Sequence, residues 1–277
     1  MALSIGGVLN ECDHRGAWTG PLKTIAWGVE YLPPGHDLVR HRHLDPYAIA
    51  VITGQFDQVS YAGRVRISAG ELLVQPTLDA HANGMPRTRG AHILRLPWAD
   101  IDDLGGVYPL GDLDAIVRAA ERDPVAAAEL AREQWLRAPA RRPANDLPDT
   151  LAQQLVAGTV ASLAAWANGL GMARETVSRE FSQAFGVPAR QFRAELRARA
   201  AWLRIVRTRD GLAEIAAATG FADQAHMTRH VRALTGASPT IWRRDVRTRS
   251  WCRVAECGRP LDPSELPRSS GGHRVSR

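Results

Sequence analysis

What most constrains this chain is an internal repeat in its C-terminal half. Leu163, Trp166, Ala167, Leu170, Gly171 and Met172 are matched by Leu212, Ile215, Ala216, Thr219, Gly220 and Phe221, each 49 residues later. One extra residue then shifts the offset to 50. Val177, Arg179, Phe181 and Gly186 are matched at that offset by Met227, Arg229, Val231 and Gly236. A segment that recurs with its apolar positions intact is one supersecondary unit used twice.

Each copy reads as helix, tight turn, helix. Apolar residues at i, i+3, i+4 and i+7 make the buried face of a short first helix. Gly171 and Gly220 fall where that helix must end in a left-handed conformation, which glycine adopts without a Cβ clash. Met172 or Phe221 then plugs the angle between the helices. Asp223 suits the cap of the following helix, its carboxylate accepting from backbone N–H groups that lack a helical partner. Ala173 holds the corresponding place in the first copy and offers no such acceptor.

With Val177 and Phe181 turned inward, Arg174, Glu175, Ser178 and Arg179 lie on or beside the exposed side of that second helix. In the other copy Met227 and Val231 point inward, and Ala225, His226 and Arg229 point outward. Such a helix can enter a DNA major groove with its N-terminal end first. Arg reads guanine bidentately or clamps a phosphate, Ser and His bond a base or the backbone, and Ala touches a thymine methyl. The alternative for Arg179 and Arg229 is a salt bridge within the helix bundle. Ala189 to Arg207, free of Gly and Pro, reads as one helix of about five turns joining the copies. Such a rod would suit two successive major grooves, about 34 Å apart on one face of DNA.

Charge follows the same division. Residues 1–144 carry 15 basic and 17 acidic side chains, a net of −2. Residues 145–250 carry 15 and 9, a net of +6, and the remaining residues add +2. The positive excess therefore sits with the repeat, where a phosphate backbone would be attracted before any base is read.

Residues from about 158 to 249 resemble the DNA-binding domain of the AraC/XylS family. The resemblance rests on Ile215 to Phe221, Asp223 to Arg229 and Gly236 to Arg243, many constrained positions across one stretch. It implies binding to double-stranded promoter DNA as an activator or repressor, with RNA polymerase a partner if an activator. The departures are Ala173 at the usual Ser cap and Val231 where an aromatic residue is common. Ala173 and Glu175 point to weaker or unusual reading by the first copy.

The N-terminal region has a different grain. From about Trp18 to Leu96, short apolar runs such as Tyr47 to Ile52 alternate with Gly54, Gly63, Gly70 and Gly84, the spacing of a β-sandwich or barrel. Gly35, His41 and His43, then Gly70, Pro76 and His81, resemble the cupin fold as AraC-type regulators use it to bind an effector. Strand alternation puts His41 and His43 on one face, and a barrel could bring His81 beside them. Three such imidazoles would suit zinc, iron or nickel, but Tyr47 stands where the metal-cupin pattern has Glu. The favoured reading is therefore a pocket for a small molecule, or simply buried histidines, with no metal and no cofactor. An effector there would pack on Trp27 or Tyr47 and bond to His41, His43 or His81.

The expected architecture is α+β and multidomain: a cupin-like β-barrel followed by an all-α double helix-turn-helix domain. Its parts are a cupin-like effector domain at 1–111, a helical segment and linker at 112–148, the DNA-binding domain at 149–249 and a disordered tail at 250–277. Pro124 separates two helices between Asp112 and Arg137, a pair suited either to dimerisation or to covering the barrel. Cys12, Cys252 and Cys257 are too few for a disulfide framework, and the last two read as free thiols. Met1 to Arg15 shows no basic start followed by an apolar core, and no run is long enough to span a bilayer; the cytoplasm is the expected compartment. The competing class is a cupin-type metal-dependent enzyme with an appended DNA-binding domain, but no second acid or base is visible to support it.

Overall fold

A computed structural model describes residues 26–99, 101, 104–141 and 145–248, with strands also at 9–12 and 18–19. By packing, the chain forms two bodies, residues 1–196 and 197–277. The first holds two antiparallel sheets. One has the order β2-β1-β4-β9-β6-β7, built from Leu9–Cys12 (β1), Trp18–Thr19 (β2), Asp37–His43 (β4), Gln55–Ser60 (β6), Gly63–Ser68 (β7) and His81–Gly84 (β9). The other runs β11-β8-β5-β10-β3, from Gly28–Leu32 (β3), Tyr47–Thr53 (β5), Glu71–Gln75 (β8), Ala91–Pro97 (β10) and Gly106–Pro109 (β11). Among the described residues no strand pairing joins the two sheets. The expected barrel is thus a two-sheet, jelly-roll-like arrangement rather than a closed ring.

Alternation along β5 explains both faces of the second sheet. Tyr47, Ile49 and Val51 point to the core between the sheets, with Phe56, Ile67, Leu73 and Ile93. Ala48 and Ala50 point the other way and are equally buried, because helices α1 (Leu113–Ala120) and α2 (Pro124–Trp135) lie on that face through Ile116, Ala127, Ala128 and Ala131. A strand covered on both sides reads as a continuous apolar run, as residues 47–52 do. Gly54, at φ 77°, turns the chain from β5 into β6; a Cβ there would strike the Gly90 carbonyl. Pro124 opens α2 behind the Asp123 cap, as expected. The helix pair covers the sheet, and its outer side leaves Val125, Leu130 and Leu136 exposed.

The helical part begins at α3 (Leu147–Val156), capped by Asp146, with Pro148 in its first turn, where a missing N–H does no harm. It continues through α4 (Leu163–Gly169), α5 (Arg174–Phe185), α6 (Ala189–Arg207), α7 (Leu212–Ala218), α8 (Gln224–Thr235) and α9 (Pro239–Thr248). The expected joining helix is the uninterrupted α6 of 19 residues, and the boundary between the two bodies falls inside it. Residues 250–277, expected to be a tail and including Cys252 and Cys257, lie outside the described residues. Among the described residues, no helix is long and apolar enough to cross a membrane.

Candidate nucleic-acid interface and sensor site

In the first copy α4 is capped by Ser162 and ends at Gly171, whose φ is 66°. Met172 packs into the core below. Helix α5 starts on Ala173 with no side-chain cap, as its residue type requires. Val177, Phe181 and Phe185 are buried. Phe181 stacks on Phe185 at 4.6 Å and meets Phe192 of α6 edge-on at 5.4 Å. Those inward rings leave Arg174, Glu175 and Arg179 exposed and Ser178 half-buried. Arg174 donates to its neighbour Glu175 at 3.3 Å, a solvated pair of little energetic weight that nonetheless lowers the net charge at the tip of the helix.

The second copy repeats the geometry with better ends. Gly220 closes α7 at φ 74°, and Phe221 is buried behind it. Asp223 caps α8, accepting from the His226 N–H at 2.6 Å. Met227 and Val231 are buried, and Ala225 and Arg229 are exposed. His226 is half-buried: its ring meets Phe221 edge-on at 5.3 Å, and its Nε2 lies 3.1 Å from that of His230. Arg179 and Arg229, at matched positions, make no salt bridge or hydrogen bond among the described residues. The bundle-forming alternative therefore has no support.

The repeat continues past Gly186 and Gly236 to Phe192 and Trp242. Gly186 and Gly236 end α5 and α8 at φ 71° and 79°, and fifty residues separate Phe192 from Trp242. Each of these aromatic residues braces its own reading helix from the next one. Phe192 does so by ring contacts, and Trp242 by donating its Nε1–H to Thr235 Oγ1 at 2.7 Å. The signal was present in the offset but hidden by the change from Phe to Trp and from Phe185 to Thr235.

Residues 166–245 match the family described as a helix-turn-helix domain. The C-terminal region is an AraC-type helix-turn-helix domain. A search of curated proteins by sequence finds no match. Among solved structures, the chain is similar to fatty-acid-bound ToxT from Vibrio cholerae (10% identity, 76% of this chain, 92% of that one, TM-score 0.34). It is also similar to an AraC-type regulator from Chromobacterium violaceum (22%, 35%, 88%, 0.32) and to the DNA-binding domain of AdpA with its target DNA (21%, 38%, 96%, 0.35).

His41, His43, His81 and Tyr47, four of the residues expected to line an effector pocket, lie together. His41 and His81 are direct partners across β4 and β9, and His43 follows two residues on, on the same face. The ring centroids lie 4.2 Å apart for His41 and His81, 5.1 Å for His41 and His43, and 5.3 Å for His43 and His81. All three are buried, and Tyr47 donates its hydroxyl to His81 Nε2 at 3.1 Å. Burial, then the neighbouring histidines His81 and His41, holds His43 well below the usual imidazole range. Burial, then His41, does the same to His81. Trp27 is half-buried and packs against the inter-sheet core to which Tyr47 belongs.

A second polar group links the sheets to the first copy within the same body. Glu195 of α6 accepts from Arg40 at 2.5 Å and from the Tyr61 hydroxyl at 2.9 Å. Asp79, two residues before His81, accepts from the Tyr61 N–H at 3.2 Å and from Gln75 at 2.5 Å. Arg64 of β7 pairs with buried Asp149 at 2.7 Å and with the cap residue Asp146. None of these residues was singled out from sequence; the partners of Arg40, Tyr61 and Arg64 in α6 and at the start of α3 are 82 to 155 positions away.

Proposed function

We propose that the protein is a sequence-specific transcription regulator whose DNA reading is controlled by an effector held among the sheets of its N-terminal region. The observation that supports this most is the pair of exposed, unpartnered arginines, Arg179 and Arg229, at equivalent positions of two helix-turn-helix copies. Arg174, Glu175, Ser178 and Arg179 form one reading surface, and Ala225, His226 and Arg229 the other. The division into a sensor at 1–111, a helical connection at 112–148 and a reader at 149–249 belongs to the same proposal. So do a cytoplasmic location, contact with RNA polymerase if the protein activates, and pairing of two copies through the exposed side of α1 and α2. On this reading the protein is not an enzyme.

Promoter DNA recovered by genome-wide mapping of bound sites supplies the probe. The full chain should bind such a fragment with an affinity that falls steeply as salt rises, since phosphate contacts release counterions. Binding that ignores both salt and sequence, or no binding at all, overturns the proposal.

A further inference from the structure

We propose that the effector site is a metal centre, in which His41, His43 and His81 hold one divalent transition-metal ion of the zinc, cobalt or nickel class. This rests on the effector-controlled reading above and names the ligand that the site takes. It departs from the sequence-based preference for an organic ligand or plain buried histidines.

Three observations support it. One ligand nitrogen from each of the three histidines lies within 4.8 Å of the others, and all three residues are buried. At that limiting spacing an ion at the centre is about 2.8 Å from each nitrogen, against ~2.1 Å for a zinc–imidazole bond, so small ring rotations close the site. The second observation concerns the outer nitrogens. His41 Nδ1 lies 2.7 Å from the Val39 carbonyl and His81 Nδ1 lies 3.0 Å from the Asp79 carbonyl. For His41 a proton directed at the carbonyl leaves Nε2 with its lone pair, and a backbone carbonyl behind a ligating imidazole is what orients it in metal sites; His81 Nε2 faces the Tyr47 hydroxyl at 3.1 Å, a contact that an ion would replace.

The third is an imbalance. His43 Nδ1 is buried with no hydrogen-bond partner, an arrangement that needs an explanation in a folded protein. A cation would take up the lone pairs of three buried imidazoles packed together. The donor set also selects the ion. Three neutral nitrogens without a carboxylate suit borderline metals and disfavour magnesium or calcium. The Glu that Tyr47 replaces is not required, because three imidazoles leave the fourth position to water or a small anion. Tyr47 is not needed as a ligand; its hydroxyl, 3.1 Å from His81 Nε2, would turn to the water or anion in the fourth position once an ion is bound.

The test uses the full chain, stripped with a chelator and then dialysed against zinc or cobalt. The expected result is one ion retained per chain, a cobalt visible spectrum of a nitrogen-ligated site, and a higher melting midpoint with zinc. In His41→Gln/His43→Gln the ion and the midpoint shift should be lost while circular dichroism stays unchanged. Single His43→Gln serves if the double variant does not fold. Tyr47→Phe, Cys252→Ser/Cys257→Ser and His226→Ala should all keep the ion. No retained metal, or equal retention in the histidine variants, overturns the proposal. Promoter binding measured in the same samples separates the two readings. Chelated protein that still binds DNA specifically, and never takes up metal, removes the metal but leaves the regulator. A bound ion that leaves DNA affinity unchanged removes the effector role from this site.

Discussion

In the first helix-turn-helix copy the reading helix starts at Ala173 without a side-chain acceptor and is braced by the rings of Phe181, Phe185 and Phe192. In the second it starts on Asp223 and ends with Thr235 hydrogen-bonded to Trp242. Ring packing is strong but tolerant of small rotations, whereas a cap and an indole hydrogen bond specify direction at both ends. The second reading helix is therefore aimed by its own ends, and the first by its neighbours. Those neighbours include the sheets, since Tyr61 meets Phe192 edge-on at 5.3 Å and also donates to Glu195. On the proposed function, the first copy is the one whose placement the N-terminal sheets would alter, and the second the one held by its own ends.

The largest expected effect is on the aromatic side of this contrast. Phe181→Ala should lower stability by ~3–5 kcal/mol in denaturant titration, the usual loss for a buried ring. Thr235→Val should lower it by much less, and an equal loss would break the contrast. Next comes DNA affinity. Arg229→Ala should weaken binding to a promoter fragment about tenfold or more, equivalent to ~1–3 kcal/mol, and Arg179→Ala should weaken it less. The reverse order in a competition assay would make the uncapped copy the dominant reader.

A smaller effect tests the caps themselves. Asp223→Ala should lose ~1 kcal/mol of stability, while Ala173→Ser should gain a fraction of that. If Ala173→Ser also sharpens sequence preference, the weak start was limiting the first copy. Trp242→Phe keeps one aromatic ring but loses the indole's second ring and the bond to Thr235, the bond alone being worth about 0.5–1.5 kcal/mol. A melting shift indistinguishable from zero would show that the ring alone braces α8.

Most of the helical design could be read without coordinates. The φ values of Gly171 and Gly220, the Asp223 cap, the inward Val177, Phe181, Met227 and Val231, and the length of α6 all follow from residues a few positions apart. Helix contacts recur at i+3 and i+4, so the chain states them locally. The placing of His41 and His43 on one face is of the same kind. The brace from Trp242 was not recognised, because a change of side chain concealed the repeat.

The sequence by itself determined the repeat, its turns and caps, and which face of each reading helix meets solvent. Only the tertiary structure decided that His81 lies opposite His41, since strand register is set by pairing between residues 40 positions apart and a slip of one residue would reverse the face. It also decided that Glu195 and Asp149 are buried beside Arg40 and Arg64. A charge leaves water only where its partner is held ready for it, and that partner arrives through the packing of distant elements.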